Sequence, residues 1–545
     1  MRPIAVPDKL EIHLTDVESS ICDLLNDCSN DLLEQRGIIV TCRIAGGWVR
    51  DKLLGSQSND IDVALSSMMG LTYAEYLTEF ARSKGVETGT IAKIEVNPDQ
   101  SKHLETATFK IYGLDLDLVN LRSEEYADDS RIPTEVTFGT PVEDALRRDI
   151  TINALFYNVH TREVEDHTEM GLDDLRHGII RTPSPPKETF QDDPLRVLRC
   201  VRFASRFGFD LVQEVKDAAR DLYIQEALVL KVARERVGDE VGKMLKGPNP
   251  LRAVQLIHEL HLYQSIFNVI PQNAKSALLP ELHATSKPAS LSASSILDTL
   301  ASFQAPHLLA PHPLLLSLIA DDNATKARLY LASLCLPYFG AFYQDAKKKT
   351  HPVVTSVIRD SLKFGVQNHY LDGVPTLFSS LPLLKSAMSE HKTAPLDRIK
   401  LGLLLRNKLV HNLVTGNHWT TSLLFSLVTD LVPHYDTSDD KFNMDAASEI
   451  VASYNAFVNA ITDFELQDQV DSKPLLNGHE IGKAFGVTKV GPWVGKALED
   501  VVVWQLGHPH GSKEECTEWL KSRGSSRYIT EDTLQSKPAK RIRTK

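Results

Sequence analysis

One stretch near the N-terminus decides the fold. Residues 44–62 read IAGGWVRDKLLGSQSNDID. Gly46 and Gly47 follow an apolar run, and a glycine-rich turn between a strand and a helix lets backbone N–H groups approach a phosphate closely. Arg50, one turn later, adds positive charge. A glycine pair alone is also typical of a plain tight turn. The acidic strand that follows favours phosphate binding.

Asp60 and Asp62 lie two residues apart on that predicted strand. Their side chains therefore share one face, while Ile61 and Val63 occupy the other face and suit a core. Two neighbouring carboxylates repel each other unless a cation lies between them. Mg²⁺ prefers hard oxygen ligands. The strand therefore predicts a metal site beside the glycine turn.

A second acidic strand is predicted over residues 114–120. Asp115 and Asp117 share one of its faces, so either carboxylate could join the first two in a two-metal site. Such a site activates an attacking oxygen and stabilises a leaving one. An ordinary amphipathic strand has the same alternation, and this stretch by itself favours that simpler interpretation.

Adjacent arginines beside acids mark the next segment. Arg147 and Arg148 lie between Asp144 and Asp149, and Asn153 follows closely. Guanidinium groups bind phosphate oxygens with paired hydrogen bonds, and aspartates accept hydrogen bonds from sugar hydroxyls. This segment predicts contacts with a triphosphate and a ribose.

A predicted helix carries four arginines on one face, with Pro194 at its first position and Asp193 as its N-cap. The four are Arg196, Arg199, Arg202 and Arg206. Their spacing of three or four residues places like charges together, which favours a bound anion. The alternative is a solvated face balanced by Asp192, Asp193 and Asp210.

Asp193 and Arg196 also predict base selection. Asp193 accepts a hydrogen bond and Arg196 donates one, three residues apart. Cytosine and adenine present an amine donor beside a ring-nitrogen acceptor, whereas uracil and guanine present the reverse. A pocket rejects the wrong base because its polar groups are left unpaired. The pair therefore predicts a preference for CTP and ATP.

Composition limits the class of protein. The chain has 545 residues, 60 basic and 72 acidic, for a net charge of −12, which excludes a wholly basic RNA-coating protein but not a local basic groove. Six cysteines without CxxC spacing predict neither a zinc site nor a disulfide framework. We expect no secretory signal, since residues 1–10 lack an apolar stretch of the kind that a signal peptide needs. We expect no membrane segment, since the longest apolar run, 314–320, is too short to span a bilayer.

The chain predicts an α+β head followed by helices. The expected strands are residues 38–40, 60–65, 108–112, 114–120 and 151–158. From residue 190 onward the periodicity is helical. Pro248 and Pro250 predict a break between helices, and residues 286–295 and 305–313 predict inter-helix connections.

These motifs, in this order, resemble the class II tRNA nucleotidyltransferases, the CCA-adding enzymes, and most of all a fungal one. Residues 46–62 are similar to the family's metal and triphosphate motif, and residues 144–149 to its ribose-selecting motif. Residues 192–196 resemble its EDxxR amino-acid template, with Asp192 in place of the usual glutamate. Residues 116–126 resemble the segment between head and neck that helps domain movement.

Two further segments extend the resemblance. Residues 233–243 resemble the neck motif, in which Glu235 and Arg236 would support the template helix. A flexible loop needed for the switch from C to A addition would hold four residues. They are His103, Leu104, Glu105 and Thr106. The tail segment is matched less closely, at residues 477–478 and 491–495, where Gly491 and Pro492 are expected to open a helix.

The resemblance implies a nucleotidyltransferase-type mixed sheet in the head, with an all-α neck, body and tail. The expected segments are an N-terminal helical part (1–35), head (36–185), neck (186–270), body (271–470), tail (471–530) and a basic disordered C-terminus (531–545). The last segment could also serve as a nuclear address or an RNA contact.

The resemblance also implies an activity. The enzyme would add C, C and A to the acceptor end of tRNA from CTP and ATP without a nucleic-acid template. Asp60 and Asp62 would bind Mg²⁺, and Asp117 is the candidate third carboxylate. We expect a monomer in the cytoplasm and nucleus, with a mitochondrial pool.

Three alternatives stay open. A split-activity enzyme that adds only CC or only A shares every motif, although the loop around residues 103–107 favours full addition. A poly(A) polymerase would use ATP alone. A non-catalytic tRNA-binding factor would have lost the metal carboxylates, whereas Asp60 and Asp62 are both present.

Overall fold

A computed structural model describes residues 4–94, 106–125, 135–278, 289–302, 308–487 and 491–529. The chain forms two compact units. The first comprises Met1–Ser286 and Pro337–Gly365, and the second comprises Lys287–Leu336 and Val366–Lys545. Residues 337–365, which the sequence places within the body, thus belong to the first unit.

Short strands make up the sheets of both units. They are β1 (Cys42–Ala45), β2 (Asp60–Leu65), β3 (Ala92–Ile94), β4 (Thr106–Ile111), β5 (Leu114–Asn120), β6 (Arg122–Glu125), β7 (Glu135–Phe138), β8 (Phe156–Asn158), β9 (Glu163–Glu165), β10 (Ile179–Ile180), β11 (Asp210–Leu211), β12 (Phe342–Gln344), β13 (Thr350–Pro352), β14 (Tyr435–Asp436) and β15 (Lys441–Phe442).

Helices dominate the remainder of the described chain. Up to residue 278 they are α1 (Asp16–Arg36), α2 (Gly47–Leu53), α3 (Gly70–Ser83), α4 (Pro141–Leu146), α5 (Gly171–His177), α6 (Pro186–Asp192), α7 (Leu195–Phe207), α8 (Gln213–Arg220), α9 (Leu222–Leu230), α10 (Arg234–Lys246), α11 (Pro250–Glu259), α12 (Tyr263–Phe267) and α13 (Gln272–Lys275). Beyond it they are α14 (Ala289–Ser302), α15 (Pro313–Asp321), α16 (Asn323–Leu334), α17 (Val353–Ser356), α18 (Tyr370–Thr393), α19 (Arg398–Leu405), α20 (Trp419–Leu431), α21 (Met444–Asp463), α22 (Gly478–Ala484), α23 (Val494–Gly507) and α24 (Lys513–Ser522).

The head is built on a seven-stranded mixed sheet in the order β3-β4-β5-β2-β1-β8-β9. Strands β2 and β5 pair in parallel, and the other neighbours are antiparallel. The alternation in β2 buries Ile61 and Val63 and leaves Asp60 and Asp62 on the open face. The predicted α+β class with a mixed-sheet head and a mostly helical remainder is confirmed.

Three local predictions are wrong. The first strand is residues 42–45 and not 38–40, because Cys42 and Ile44 enter the core whereas Ile39 stays exposed. Residues 151–153 form a 3₁₀ turn, and only Phe156–Asn158 is a strand. Residues 289–295, expected as a connection, lie in α14, whose small serines let it pack closely on α16.

Other predictions hold. The N-terminal helix exists, although it begins at residue 16, where a capping box between Thr15 and Glu18 satisfies its first N–H groups. The break at Pro248 and Pro250 separates α10 from α11. Helix α23 begins at residue 494, two residues after Pro492. No described helix combines the length and hydropathy that crossing a membrane requires.

Candidate active site

Three carboxylates meet on the open face of the head sheet. The parallel register of β2 and β5 places Asp60 beside Asp115 and Asp62 beside Asp117. One oxygen each from Asp60, Asp62 and Asp117 lies within 4.8 Å of the other two. Asp115 turns instead to Lys110, 3.3 Å away. The geometry therefore selects Asp117 over Asp115 as the third member.

The three carboxylates form a donor set for a hard divalent cation. Oδ1 of Asp117 is buried and has no hydrogen-bond partner in the described part of the chain. Burial and the neighbouring charges of Asp60 and Asp117, opposed by Arg148, together raise the pKa of Asp62 to about 6. A cation would relieve this repulsion and occupy the unpaired oxygen. The residues thus fit a divalent metal.

The turn at Gly46 and Gly47 lies against the guanidinium of Arg148, close to the three carboxylates. Gly46 has a φ of 68°, a left-handed backbone that favours glycine. A Cβ atom there would lie 2.8 Å from Nη1 of Arg148. The backbone conformation therefore favours glycine, and a side chain there would also displace the Arg148 guanidinium. Gly46 and Gly47 line the cavity described below.

Arg50 joins this turn to α7. Its guanidinium lies 5.1 Å from the ring of Phe203 and 5.0 Å from that of Phe207, and it donates to Asn153 Oδ1 and, at 2.8 Å, to Asp51. The two phenylalanine rings attract the cation through their faces. Arg50 is therefore held in one orientation although it is a long side chain.

Asp144 positions the pair of arginines that follows α4. Its buried carboxylate accepts from Arg147 Nε at 3.0 Å through one oxygen and from Arg148 Nη2 at 2.8 Å through the other. Burial alone would raise the pKa of Asp144, but Arg148 and Arg147 together hold it below its usual value. Arg147 and Arg148 line the cavity, and Asp144 lies behind them.

Asp149 connects the arginine pair to α7. One oxygen accepts from the Asn153 amide at 3.2 Å, and the other accepts from Arg199 Nε at 2.7 Å. Burial raises the pKa of Asp149, but Arg199 and Asn153 lower it by more, so it stays below the usual value. With Arg50 donating to Asn153, a continuous chain of polar contacts runs from the glycine turn to α7.

The four arginines of α7 each have a partner on another element. Arg196 donates to the carbonyl of Arg147 at 2.7 Å, and Arg199 binds Asp149 as above. Arg202 binds Glu240 at 2.5 Å, and Arg206 binds Asp51 at 3.4 Å. The charges of this face are therefore met by groups of other elements and not by Asp192, Asp193 and Asp210, although Arg206 is still exposed.

Asp193 lies at the start of the same helix. Oδ1 accepts the N–H of Leu195 at 3.1 Å, and Oδ2 accepts from Arg236 at 3.0 Å. The helix begins at residue 195 with Pro194 as its N-cap, one residue later than predicted. Arg196 and Asp193 both line the cavity, whereas Asp192, at the end of α6, is outside its lining.

Helix α10 supports α7 through residues only partly anticipated. Arg236 contacts Asp193 as the neck resemblance implies, but Glu235 is exposed. The carboxylate that reaches α7 is the buried Glu240, through Arg202. Arg234, also buried, donates to the carbonyls of Ser361 and Ser265.

These side chains enclose a cavity of about 510 Å³ with nine arginines and three aspartates in its lining. A volume of this size is typical of ligand pockets. The excess of positive charge, in a chain of net charge −12, favours a polyanion such as a triphosphate. Asp62 lies in the lining, so the carboxylate cluster meets this space through that residue.

Matches to protein-family models and to related sequences identify the family to which this site belongs. The model of the poly A polymerase head domain matches residues 42–181, and that of a probable RNA and SrmB-binding site of polymerase A matches residues 208–273. The mitochondrial CCA tRNA nucleotidyltransferase of Candida glabrata is 37% identical over 94% of this chain and 96% of its own length. That of Saccharomyces cerevisiae is also 37% identical, over 94% of both chains. The chain belongs to the CCA tRNA nucleotidyltransferases.

Solved structures agree on the fold of this nucleotidyltransferase. A Thermotoga maritima CCA-adding enzyme complexed with tRNA aligns with a TM-score of 0.59 and 19% identity, over 92% of this chain and 95% of that one. A CCA-adding enzyme in its second apo form aligns with a TM-score of 0.60 and 19% identity, over 92% and 96%.

Some predicted residues of the nucleotidyltransferase cannot be placed. His103, Leu104 and Glu105 lie outside the described residues, and Thr106 is the first residue of β4. The basic C-terminal segment, 531–545, also lies outside them. The sequence reasoning missed Phe203 and Phe207, whose signal is their spacing of four residues on the arginine-rich helix.

Proposed function

We propose that this nucleotidyltransferase adds C, C and A to the 3′ end of tRNA from CTP and ATP, without a nucleic-acid template and with release of pyrophosphate. One observation carries the proposal: a cluster of three carboxylates reaches an arginine-lined cavity through Asp62, and the Asp193 and Arg196 pair lies in the wall of that cavity. The carboxylates would hold a metal that supplies positive charge to the transfer, and the Asp193 and Arg196 pair would choose the base.

Asp60, Asp62 and Asp117 would hold the metal, and we infer that Mg²⁺ is the ion and that two ions act. Bound Mg²⁺ supplies positive charge that activates the tRNA 3′-hydroxyl and stabilises the pyrophosphate leaving group. The chain's own task is positioning: Arg50, Arg148 and the α7 arginines would bind the triphosphate oxygens. Phosphoryl transfer depends mainly on such positioning and on charge.

The base would be selected by the edge that it presents to Asp193 and Arg196. A contact from Arg236 fixes Asp193, and the carbonyl of Arg147 fixes Arg196. Fixed groups discriminate well because they cannot turn to suit a uracil or a guanine. Asp144, Asp149 and Asn153 would orient the arginines and the ribose contacts.

The partners and the cellular location follow from the same proposal. The acceptor end of tRNA, CTP and ATP are the expected substrates, and a monomer is the expected form. The two relatives above carry "mitochondrial" in their names. We propose a mitochondrial pool beside a cytoplasmic and nuclear one.

The test uses three labelled tRNA transcripts that end before, within and after the CC sequence. Purified protein, Mg²⁺ and single nucleotides are added in turn, and product length is read on a sequencing gel. Extension of all three to a finished CCA end is expected. Arrest after CC, or extension only from CC, would instead assign half of a split pair, and use of ATP alone would assign a poly(A) polymerase.

A further inference from the structure

A basic hairpin lies outside the catalytic cavity. Strands β12 and β13 pair antiparallel, and residues 345–349 connect them. Three consecutive exposed lysines, Lys347, Lys348 and Lys349, occupy this connection. Within the described ranges no carboxylate forms an ion pair with any of them, in contrast to many other lysines of the chain. The hairpin therefore concentrates uncompensated positive charge on a protein of net charge −12.

The carboxylate of Asp345, in the same connection, is bound by other groups and not by the lysine ammonium groups. Oδ1 of Asp345 accepts the backbone N–H groups of Lys347 and Lys349, each at 2.9 Å, and Oδ2 lies 3.0 Å from Nε2 of His351. Lys348 has a φ of 60°, where glycine would cost less. A turn that keeps a lysine in this conformation retains charge at the expense of backbone strain.

The hairpin is firmly attached to the unit that holds the cavity. Tyr343 is buried, and its hydroxyl lies 2.7 Å from that of Ser356. Asn273 on α13 donates its amide to the carbonyl of Gln344 at 2.8 Å. Asn273 is also the last residue matched by the probable RNA-binding model. The hairpin that carries the lysines thus contacts the end of the segment matched by that model.

We propose that the lysines of this hairpin bind phosphate groups of the tRNA backbone at a site separate from the catalytic cavity. The identity of the RNA rests on the proposed function. Lysine is a compact, mobile point charge that suits phosphate contacts and reads no sequence. Such a contact fits an enzyme that must accept every tRNA, because phosphates are common to all of them.

The test measures the affinity of a full-length tRNA transcript lacking CCA by fluorescence anisotropy, without nucleotides, at several salt concentrations. Lys347→Ala, Lys348→Ala and Lys349→Ala are combined in one variant that keeps Asp345. Its Kd should be about tenfold higher than that of the wild type at low salt, and the slope of log Kd against log salt should fall by about 2. The KM for CTP should stay within about twofold.

Two matched variants serve as controls. Replacing all three lysines by arginine should keep the affinity, because the charge is kept. A second variant replaces Lys392, Lys400 and Lys521 by alanine, which changes the net charge by the same amount. These lysines already pair with glutamates, so their loss should change the affinity for tRNA little. Equal affinities and salt slopes for the hairpin variant and this control would overturn the proposal.

The binding measurement is independent of turnover. If wild-type protein adds no nucleotides to tRNA yet the hairpin variant loses affinity, the proposed function fails and the hairpin stands as an RNA contact. If addition is normal and affinity is unchanged in the variant, the hairpin proposal alone fails.

Discussion

The catalytic cavity has two charged sides, and the chain builds them differently. On β2 and β5, Asp60, Asp62 and Asp117 crowd together, and one oxygen of Asp117 has no partner within the described chain. On α7, by contrast, every arginine already binds a carboxylate or a carbonyl. The acidic side stores repulsion that a metal relieves, whereas the side chains of the arginine side are held in place by hydrogen bonds before substrate arrives.

This difference separates two kinds of sensitivity. Removal of a carboxylate from the acidic side relieves repulsion, so folding should be unharmed while chemistry is lost. Removal of an acid from behind the arginine side leaves a cation unpaired, so stability and nucleotide binding should both suffer. The mutations below test the two sides in turn.

The largest effect is expected at the carboxylates. Asp60→Asn and Asp62→Asn should each lower the rate of nucleotide addition by about a thousandfold or more, since charge stabilisation by a metal contributes several kcal/mol. The affinity for tRNA and the unfolding midpoint should not fall. Asp115→Asn is the matched control, because Asp115 is the neighbour of Asp60 in the register but turns to Lys110. Single-turnover assays measure the rates, and a normal rate for Asp62→Asn would exclude the metal assignment.

The second effect concerns base choice. Asp193→Asn keeps an oxygen for the Leu195 N–H but exchanges an acceptor for an amide donor, which suits the carbonyl of U or G. The preference for CTP and ATP over UTP and GTP should fall by about 10- to 100-fold, the value of one or two unpaired polar groups. Competition assays with mixed nucleotides give the ratio. Asp192→Asn, which alters a neighbour outside the cavity lining, should leave the preference intact; equal ratios for both variants would contradict the template role.

The ease of predicting each side from the sequence also differs. Asp60 and Asp62 are evident from one strand, because alternation fixes their common face. The third carboxylate could be identified only from the register between β2 and β5, which no local sequence pattern reveals. Asp115 and Asp117 were therefore equivalent candidates until the fold was known.

The partners of the arginines were harder still to predict. Spacing places the four arginines on one face of α7, but their acids come from α2, α10 and the segment after α4. Glu235 and Glu240 both lie on α10, and only packing decides which one turns inward. The assignment of residues 337–365 to the first unit could not be predicted for the same reason, because long-range contacts leave no periodic pattern in the sequence.

A third prediction removes an acid from the arginine side. Asp149→Asn deprives Arg199 of its counter-charge. Because solvent screens this arginine, which is about one-third exposed, the loss of unfolding free energy should be about 2 kcal/mol, below the ~3–5 kcal/mol of a fully buried pair. Asp173→Asn, in an exposed pair with Arg176, should cost less than about 0.5 kcal/mol. Urea unfolding at neutral pH measures both.

The same variant predicts a pH dependence. The pKa of Asp149 is lowered in the folded state, so its charge contributes stability at pH values above the unfolded pKa of about 3.9 and loses it as the pH falls through the folded pKa. The stability gap between wild type and Asp149→Asn should therefore be constant from neutral pH to about pH 5.5 and narrow below about pH 4.5. A gap that widens on acidification would contradict the ion pair.

The smallest effect is expected at Phe203, which shows how the fixed side is held. Three guanidinium carbons lie near the centroid of the Phe203 ring: that of Arg202 at 3.9 Å, that of Arg50 at 5.1 Å and that of Arg199 at 5.7 Å. Phe203→Leu keeps an apolar side chain but removes the ring face, so the three cations lose a shared support worth about 0.5–1 kcal/mol each.

The expected result is a KM for CTP and ATP about fivefold higher with kcat little changed, since positioning of the triphosphate is affected and the metal carboxylates are not. Phe209→Leu is the control, because the Phe209 ring packs against that of Phe207 in a tilted arrangement, with 5.5 Å between centroids, and does not face these guanidinium groups. If the two variants raise KM equally, the effect comes from packing of the aromatic cluster. If only Phe203→Leu raises it, the arginine side depends on the ring face as well as on its ion pairs, and the two sides of the cavity differ in that respect too.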